Sequence, residues 1–199
     1  METERWNHNI HYFPIVLGAL PSGAERALDV GCGEGFLVRR LQPRVRHLTG
    51  IDVDDTSIRL ARDRPGSRNI EYLVGDFLTY PFEPRSFDFV TCVGALHHMD
   101  EASALDRMRH LLRPGGTLAI IGLARSRLPA DLPMELAGAV ATRLHKLNRT
   151  YWETPAPKTW PPPHTFGETR RLAHRTLPGS RYRRHILWRY SLTWTKPQG

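Results

Sequence analysis

Apolar and polar positions along the chain change period several times. Residues 25–33, ERALDVGCG, hold a short apolar run that ends in glycines, the mark of a buried strand feeding a turn. The next stretch, EGFLVRRLQ, spaces Phe36, Leu37 and Leu41 along one helical side. HLTGIDVD (47–54) is a second short strand, closed by acids, and DTSIRLARDR (55–64) is helical, with Thr56 and Ser57 near its start. NIEYLVGDFL (69–78) gives a third strand ending at Gly75-Asp76, and SFDFVTCVGAL (86–96) a fourth. EASALDRMRHLLRPGG (101–116) predicts a helix stopped by Pro114 and two glycines, and TLAIIGLA (117–124) a fifth strand. Strands alternating with helices at this spacing predict an α/β fold with a parallel sheet covered on both faces.

The remaining third reads differently. DLPMELAGAVATRLHKLN (131–148) predicts one helix. RTYWETPAPKTWPPPHTF (149–166) holds five prolines between Pro155 and Pro163, which excludes a regular helix or central strand. Trp152 and Trp160 favour an ordered segment with buried rings, and rigid prolines with tryptophans suit a stacking wall for substrate or, equally, a hydrophobic plug over the sheet. TFGETRRLAHRTLPG (165–179) begins with Thr165 and Glu168 in capping-box spacing. SRYRRHILW and RYSLTWTKP alternate as a closing antiparallel pair.

Charge and cysteine content narrow the class. The net charge is +8, but from Arg143 onward the chain carries 12 Lys/Arg against 2 Asp/Glu, so the first 142 residues hold −2. The basic segment could face nucleic acid or an anionic substrate, and more simply is the solvated face of a helix and a hairpin. No apolar run approaches the roughly 20 residues that span a bilayer, and no signal core follows the N-terminus. Two cysteines, Cys32 and Cys92, make no disulfide framework and suit a reducing, cytoplasmic setting. At 199 residues the chain suits one domain.

The candidate chemistry starts at the glycine turn. Gly31, Gly33 and Gly35 remove Cβ atoms where a strand feeds a helix, so a ligand can lie against the backbone. In G-C-G-E-G, Glu34 stands where a dinucleotide site would hold pyrophosphate, and a carboxylate there would repel phosphate. Asp29 adds an acid beside the turn. Asp52, 19 residues after Gly33, sits where an acid accepts both ribose hydroxyls, although it could also cap the following helix. Asp76, at the end of the third strand, can accept from an exocyclic amine, or act as a turn residue. A nucleoside without phosphate, read by two acids over a glycine floor, describes S-adenosylmethionine.

ALDVGCGEGFL, TGIDVDDTSIRLA, GDFLTYPFEPRSFDFVTCVGALHHM and LRPGGTLAII resemble, in order, the four successive motifs of class I S-adenosylmethionine-dependent methyltransferases. The nearest likeness is to small-molecule enzymes of the ubiquinone and menaquinone biosynthesis type. It covers residues 26–121. The resemblance implies a single Rossmann-like domain with a seven-stranded, mostly parallel sheet in the order 3-2-1-4-5-7-6. Within it, 1–25 would be an N-terminal lid, 26–124 the cofactor half, 125–164 an inserted helix and substrate loop, and 165–199 the last helix and strand pair. It further implies that Asp29, Gly31, Cys32, Gly33 and Gly35 form the first cofactor loop, with Asp29 near the methionine end and Cys32 a small filler. Asp52 would bind the ribose, Val53 pack on adenine, Asp76 accept from the adenine amine with Phe77 beside it, and Cys92 and Val93 pass the sulfonium.

His97 and His98 are candidate bases, as are His11 and Tyr12 on the lid. A metal is not expected, because the His-His-x-Asp spacing fits no zinc pattern. The expected reaction is methyl transfer to a small molecule of specialised metabolism, by a monomer or homodimer that contacts neither nucleic acid nor membrane. RNA or protein methylation through the basic segment, and cyclase-like chemistry on a retained cofactor, are the alternatives.

Overall fold

The computed structural model describes residues 6–64, 69–152 and 160–198. Seven strands form one sheet in the order β3-β2-β1-β4-β5-β7-β6. They are β1 (Arg26–Val30), β2 (His47–Asp52), β3 (Ile70–Val74), β4 (Phe87–Val93), β5 (Leu112–Gly122), β6 (Arg181–His185) and β7 (Arg189–Thr195). The first five run parallel, while β7 lies antiparallel to both β5 and β6. The helices are α1 (Phe13–Ala19), α2 (Phe36–Leu41), α3 (Asp55–Arg62), α4 (Glu101–Leu111), α5 (Leu132–Asn148) and α6 (Phe166–Thr176).

The pleat divides the core in two. Leu28 and Val30 of β1, with Val90 and Cys92 of β4, pack against Leu105 and Met108 of α4 and Ala173 of α6. Ala27 and Phe89, one residue out of phase, pack against Val16 of α1, Leu37 and Leu41 of α2 and Ile58 of α3. Central strands buried on both faces read as continuous apolar runs, as the sequence of β1 and β4 does.

The α4–β5 junction differs from the sequence pattern. The helix ends at Leu111, and RPGG lies within β5. The register shifts there: Leu112 pairs with Phe87, and pairing resumes at Thr117 opposite Phe89. Lys196 Nζ donates to the carbonyls of Arg109 and Leu112 at 2.9 and 2.8 Å, so a distant lysine meets the helix C-terminus. Trp160 also departs from expectation, being 72% exposed, whereas Trp152 is half-buried. Most of the proline-rich segment, 153–159, lies outside the described residues.

Thr165 and Glu168 do form a capping box at α6. The β6–β7 turn places Leu187 and Trp188 at φ 61° and 56°, an uncommon conformation for residues with side chains. Burial of Leu187 and a hydrogen bond from Tyr12 Oη to the Ile186 carbonyl hold it.

Candidate functional site

A cavity of about 240 Å³ opens at the carboxyl ends of β1, β2 and β4, where ligands of open α/β sheets bind. The loop after β1 forms its floor. The N–H groups of Gly31 and Cys32 both donate to the Ile51 carbonyl, at 2.8 and 3.1 Å. The loop is fixed from the other side by Asp52. One of its oxygens accepts from Gly33 N at 2.8 Å, the other from Asp54 N at 2.9 Å. Asp52 is therefore not the cap of α3. Asp54 is, accepting from the N–H groups of Thr56 and Ser57.

The three glycines serve different neighbours. A Cβ on Gly31 would strike the Ala95 side chain, and one on Gly35 the Tyr72 ring. A Cβ on Gly33 would meet nothing within 4 Å, although its φ of +51° favours glycine. Gly33 is thus the bare backbone that faces the cavity, whereas Gly31 and Gly35 let protein parts close on the loop. Gly35 does not line the cavity.

Asp29 gives the floor its electrostatic character. Its side chain is buried and lines the cavity, and its Oδ1 is buried with no hydrogen-bond partner among the described residues. Burial, and then the neighbouring Asp52, push its carboxyl well above the ordinary range. A buried carboxylate oxygen with no donor is costly and calls for a cation. An α-ammonium group is such a cation, so the site fits the amino-acid end of S-adenosylmethionine. Val53 is 70% exposed and borders the cavity with Asp76 and the buried Phe77. One Asp76 oxygen accepts from Leu78 N at 2.9 Å, a turn bond that leaves the exposed carboxylate able to take a further donor.

Cys32 lines the cavity, and its sulfur abuts Gly50. Burial raises its thiol, as it does that of Cys92, so neither is a ready nucleophile. Cys92 sits in the core and does not reach the cavity, whereas Val93 does.

The four candidate bases separate. His98 lines the cavity, and burial lowers its pKa against the opposing pull of Asp52. His97 lies behind it, the rings 4.1 Å apart, with Nδ1 buried and unpartnered. Burial, then His98 and Arg189, bring His97 down to about 4. His11 and Tyr12 do not line the cavity. His11 Nδ1 accepts from Trp6 Nε1 at 3.4 Å, and the Tyr12 hydroxyl is committed to the β6–β7 turn and raised to about 12 by burial. No group of three metal-ligating side chains occurs among the described residues.

The N-terminal segment supplies other lining residues: Asn7, Asn9, Ile10 and Phe13. Asn9 abuts Gly94, and its Oδ1 accepts from Arg189 Nε at 2.8 Å. Trp152 joins them, stacked on Phe36 at 5.5 Å and tied to Trp6 by its N–H. Nothing in their spacing marks Asn7 and Asn9, because they reach the cavity through contacts distant in sequence. The run of polar and aromatic residues before a proline-started helix was the only available sign.

Comparison with known proteins agrees with this geometry. A family model described as a methyltransferase domain matches residues 27–116. An uncharacterized methyltransferase of Mycobacterium tuberculosis is 37% identical over 193 residues, 96% of this chain and 98% of that one. A ubiquinone biosynthesis O-methyltransferase of Xylella fastidiosa is 34% identical over 113 residues, 54% of this chain and 45% of that one. Among solved structures, an S-adenosylmethionine-dependent methyltransferase of Mesorhizobium loti superposes with a TM-score of 0.64 at 19% identity, covering 93% of this chain and 97% of that one. A phosphoethanolamine N-methyltransferase of Haemonchus contortus, solved with S-adenosylmethionine, gives 0.66 at 18% identity over 94% of this chain and 53% of that one. With its sheet order, its glycine loop and a relative matching nearly end to end, the chain belongs to the class I S-adenosylmethionine-dependent methyltransferases.

Proposed function

We propose that the enzyme methylates a small-molecule acceptor, with His98 taking the acceptor's proton. The observation that carries this reading is the small size of the cavity, about 240 Å³. Asn7, Asn9, Ile10 and Phe13 of the N-terminal segment and Trp152 beyond α5 line it beside the cofactor loop, which suits a compact acceptor better than a polymer. S-adenosylmethionine supplies a sulfonium-activated methyl group when bound. Asp29 would hold its ammonium, Gly33 and Asp52 the sugar, and Val53, Asp76 and Phe77 the adenine.

The protein's remaining task is alignment and exclusion of water. The segment up to residue 25 acts as the lid over the cofactor half, 26–124. His98, with its lowered pKa, stands neutral at pH 7 and can accept a proton. RNA or protein methylation draws only on the basic segment. There, exposed Arg181 and Arg183 lie on the edge strand β6, where charges block sheet-to-sheet pairing, and Arg184 is paired with Asp131.

The test uses methyl-labelled S-adenosylmethionine with a metabolite, RNA and protein extract of the source cells. Label in the small-molecule fraction, lost with His98→Gln, is the expected result. Label in RNA or protein would overturn the assignment. Cofactor binding with no label in any fraction would favour cyclase-like chemistry.

A further inference from the structure

Helix α5 is amphipathic in the wrong sense for a soluble surface helix. Three of its polar side chains, Glu135, Thr142 and His145, face the protein. Glu135 accepts from Trp188 Nε1 at 2.6 Å and from Ser126. Thr142 Oγ1 meets His8 Nε2 at 3.1 Å, and the His145 ring lies 4.7 Å from Trp6. Gly138 is the buried residue of the helix, against the Trp188 ring. The outward side holds Leu132, Leu136, Val140, Leu144 and Leu147, exposed by 47, 60, 60, 57 and 76%. At one turn per 3.6 residues these five fall within about 120° of arc, an apolar stripe roughly 23 Å long that the exposed Arg143 also enters. Leu128, 68% exposed, extends it before the helix. A patch of this extent marks an interaction surface.

The flanking charge says what the surface meets. Between residues 125 and 152 the exposed charged side chains are Arg125, Arg127, Arg143, Lys146 and Arg149. The two acids of that stretch, Asp131 and Glu135, are half-buried and hydrogen-bonded inward, Asp131 to Arg184 and to Arg127 N. An outward apolar stripe that holds one base, Arg143, and is flanked by others with no exposed acid in the same stretch is the pattern of a helix lying in an anionic lipid interface. A second copy seated on the same face would bring the five bases of one chain against the five of the other. We propose that α5 docks the enzyme on an anionic membrane surface, lying flat with its leucines among the acyl chains. No helix among the described residues is long and apolar enough to cross a membrane, so attachment is peripheral. Because Thr142 and His145 of α5 contact the N-terminal segment that lines the cavity, docking would seat that cavity wall on the lipid side of the enzyme.

The experiment is sedimentation of the full chain with unilamellar vesicles of phosphatidylcholine alone, or with one third phosphatidylglycerol. Anionic vesicles are expected to bind at least tenfold more protein than neutral ones, with binding weakened by salt. Leu136→Gln with Leu144→Gln should lower binding at least tenfold while leaving the melting temperature and S-adenosylmethionine affinity unchanged. Exchanging Arg143, Lys146 and Arg149 for Gln should remove the preference for anionic lipid. Absence of binding to anionic vesicles would overturn the proposal, as would binding that the double leucine variant leaves intact. A dimer in analytical ultracentrifugation that the same variant converts to monomer would assign the face to a second copy instead.

Discussion

Replacing Asp29 by asparagine should make the protein more stable and nearly unable to bind its cofactor. The buried carboxylate holds Oδ1 without a hydrogen-bond partner among the described residues and stands beside Asp52. Its folded-state pKa is raised, so the folded protein takes up that proton at higher pH than the unfolded chain. The contribution of Asp29 therefore favours folding below the ordinary carboxyl pKa of about 3.9 and is lost as pH rises through the folded value. Above that folded value the wild type carries the whole penalty. Asp29→Asn, of the same shape and without charge, carries none of it. A buried charged group without a partner costs on the order of 2 kcal/mol, and each kcal/mol moves a chain of this size by roughly 2–4 °C. Where the wild-type carboxyl is ionised, a gain of about 5 °C follows, shrinking towards zero near pH 4. Cofactor binding should move the other way. Losing one member of a buried charge pair costs about 2–5 kcal/mol, roughly 30- to 5,000-fold in Kd. Differential scanning fluorimetry at two pH values and calorimetric titration of S-adenosylmethionine read both quantities. A variant that melts below the wild type at neutral pH, or that binds the cofactor equally well, would refute the assignment of Asp29 as the ammonium's counter-charge.

Gly33→Ala and Gly35→Ala should separate, since a Cβ at Gly33 enters open cavity and one at Gly35 strikes Tyr72. The first should lose cofactor affinity at least tenfold with a melting shift of only a few degrees from its positive φ, and the second should lose about 1–3 kcal/mol of stability, read by denaturant titration. Tyr12→Phe should leave kcat unchanged and lower stability by about 1 kcal/mol, because its hydroxyl serves the Ile186 carbonyl and not the cavity. His98→Gln should lower kcat by roughly 100-fold and remove the acid limb of the kcat/KM profile, which in the wild type falls below the lowered imidazole pKa. Thr165→Ala removes the capping box of α6 and should cost about 1 kcal/mol by thermal denaturation.

What was legible in the sequence was local. The strand-turn-helix at Asp29–Leu41 can be read from a short apolar run and three glycines, because backbone conformation there is fixed by nearby residues. Asp52 was legible for the same reason, at a fixed distance along a βαβ unit. Its second duty was not. The bond to Gly33 N joins two loops 19 residues apart, and only the packed sheet reveals that the residue shaping the floor is one assigned to the ribose. The candidate bases show the limit more sharply. His11, Tyr12, His97 and His98 are equal in composition and neighbourhood, yet only His98 lines the cavity. The other three differ because of the β6–β7 turn, Trp6 and Arg189, all far along the chain.

The same limit governs the orientation of α5, a helix expected from residues 131–148. Periodicity shows that residues 132–147 carry an apolar stripe, but not which way the stripe faces. In an ordinary surface helix the stripe would be core. Here the protein side is already claimed by Glu135, Thr142 and His145, whose partners Trp188, His8 and Trp6 come from both chain ends. The elements that fix the orientation of α5 therefore include the N-terminal segment that lines the cavity. A single arrangement of distant contacts thus lines the cavity and turns five large apolar side chains outward. If the apolar face were an accident of packing, the bases around it would be interleaved with exposed acids, as on most protein surfaces. Among the described residues of 125–152 they are not, and that sign pattern, not the hydrophobicity alone, supports the outward stripe as the proposed membrane face.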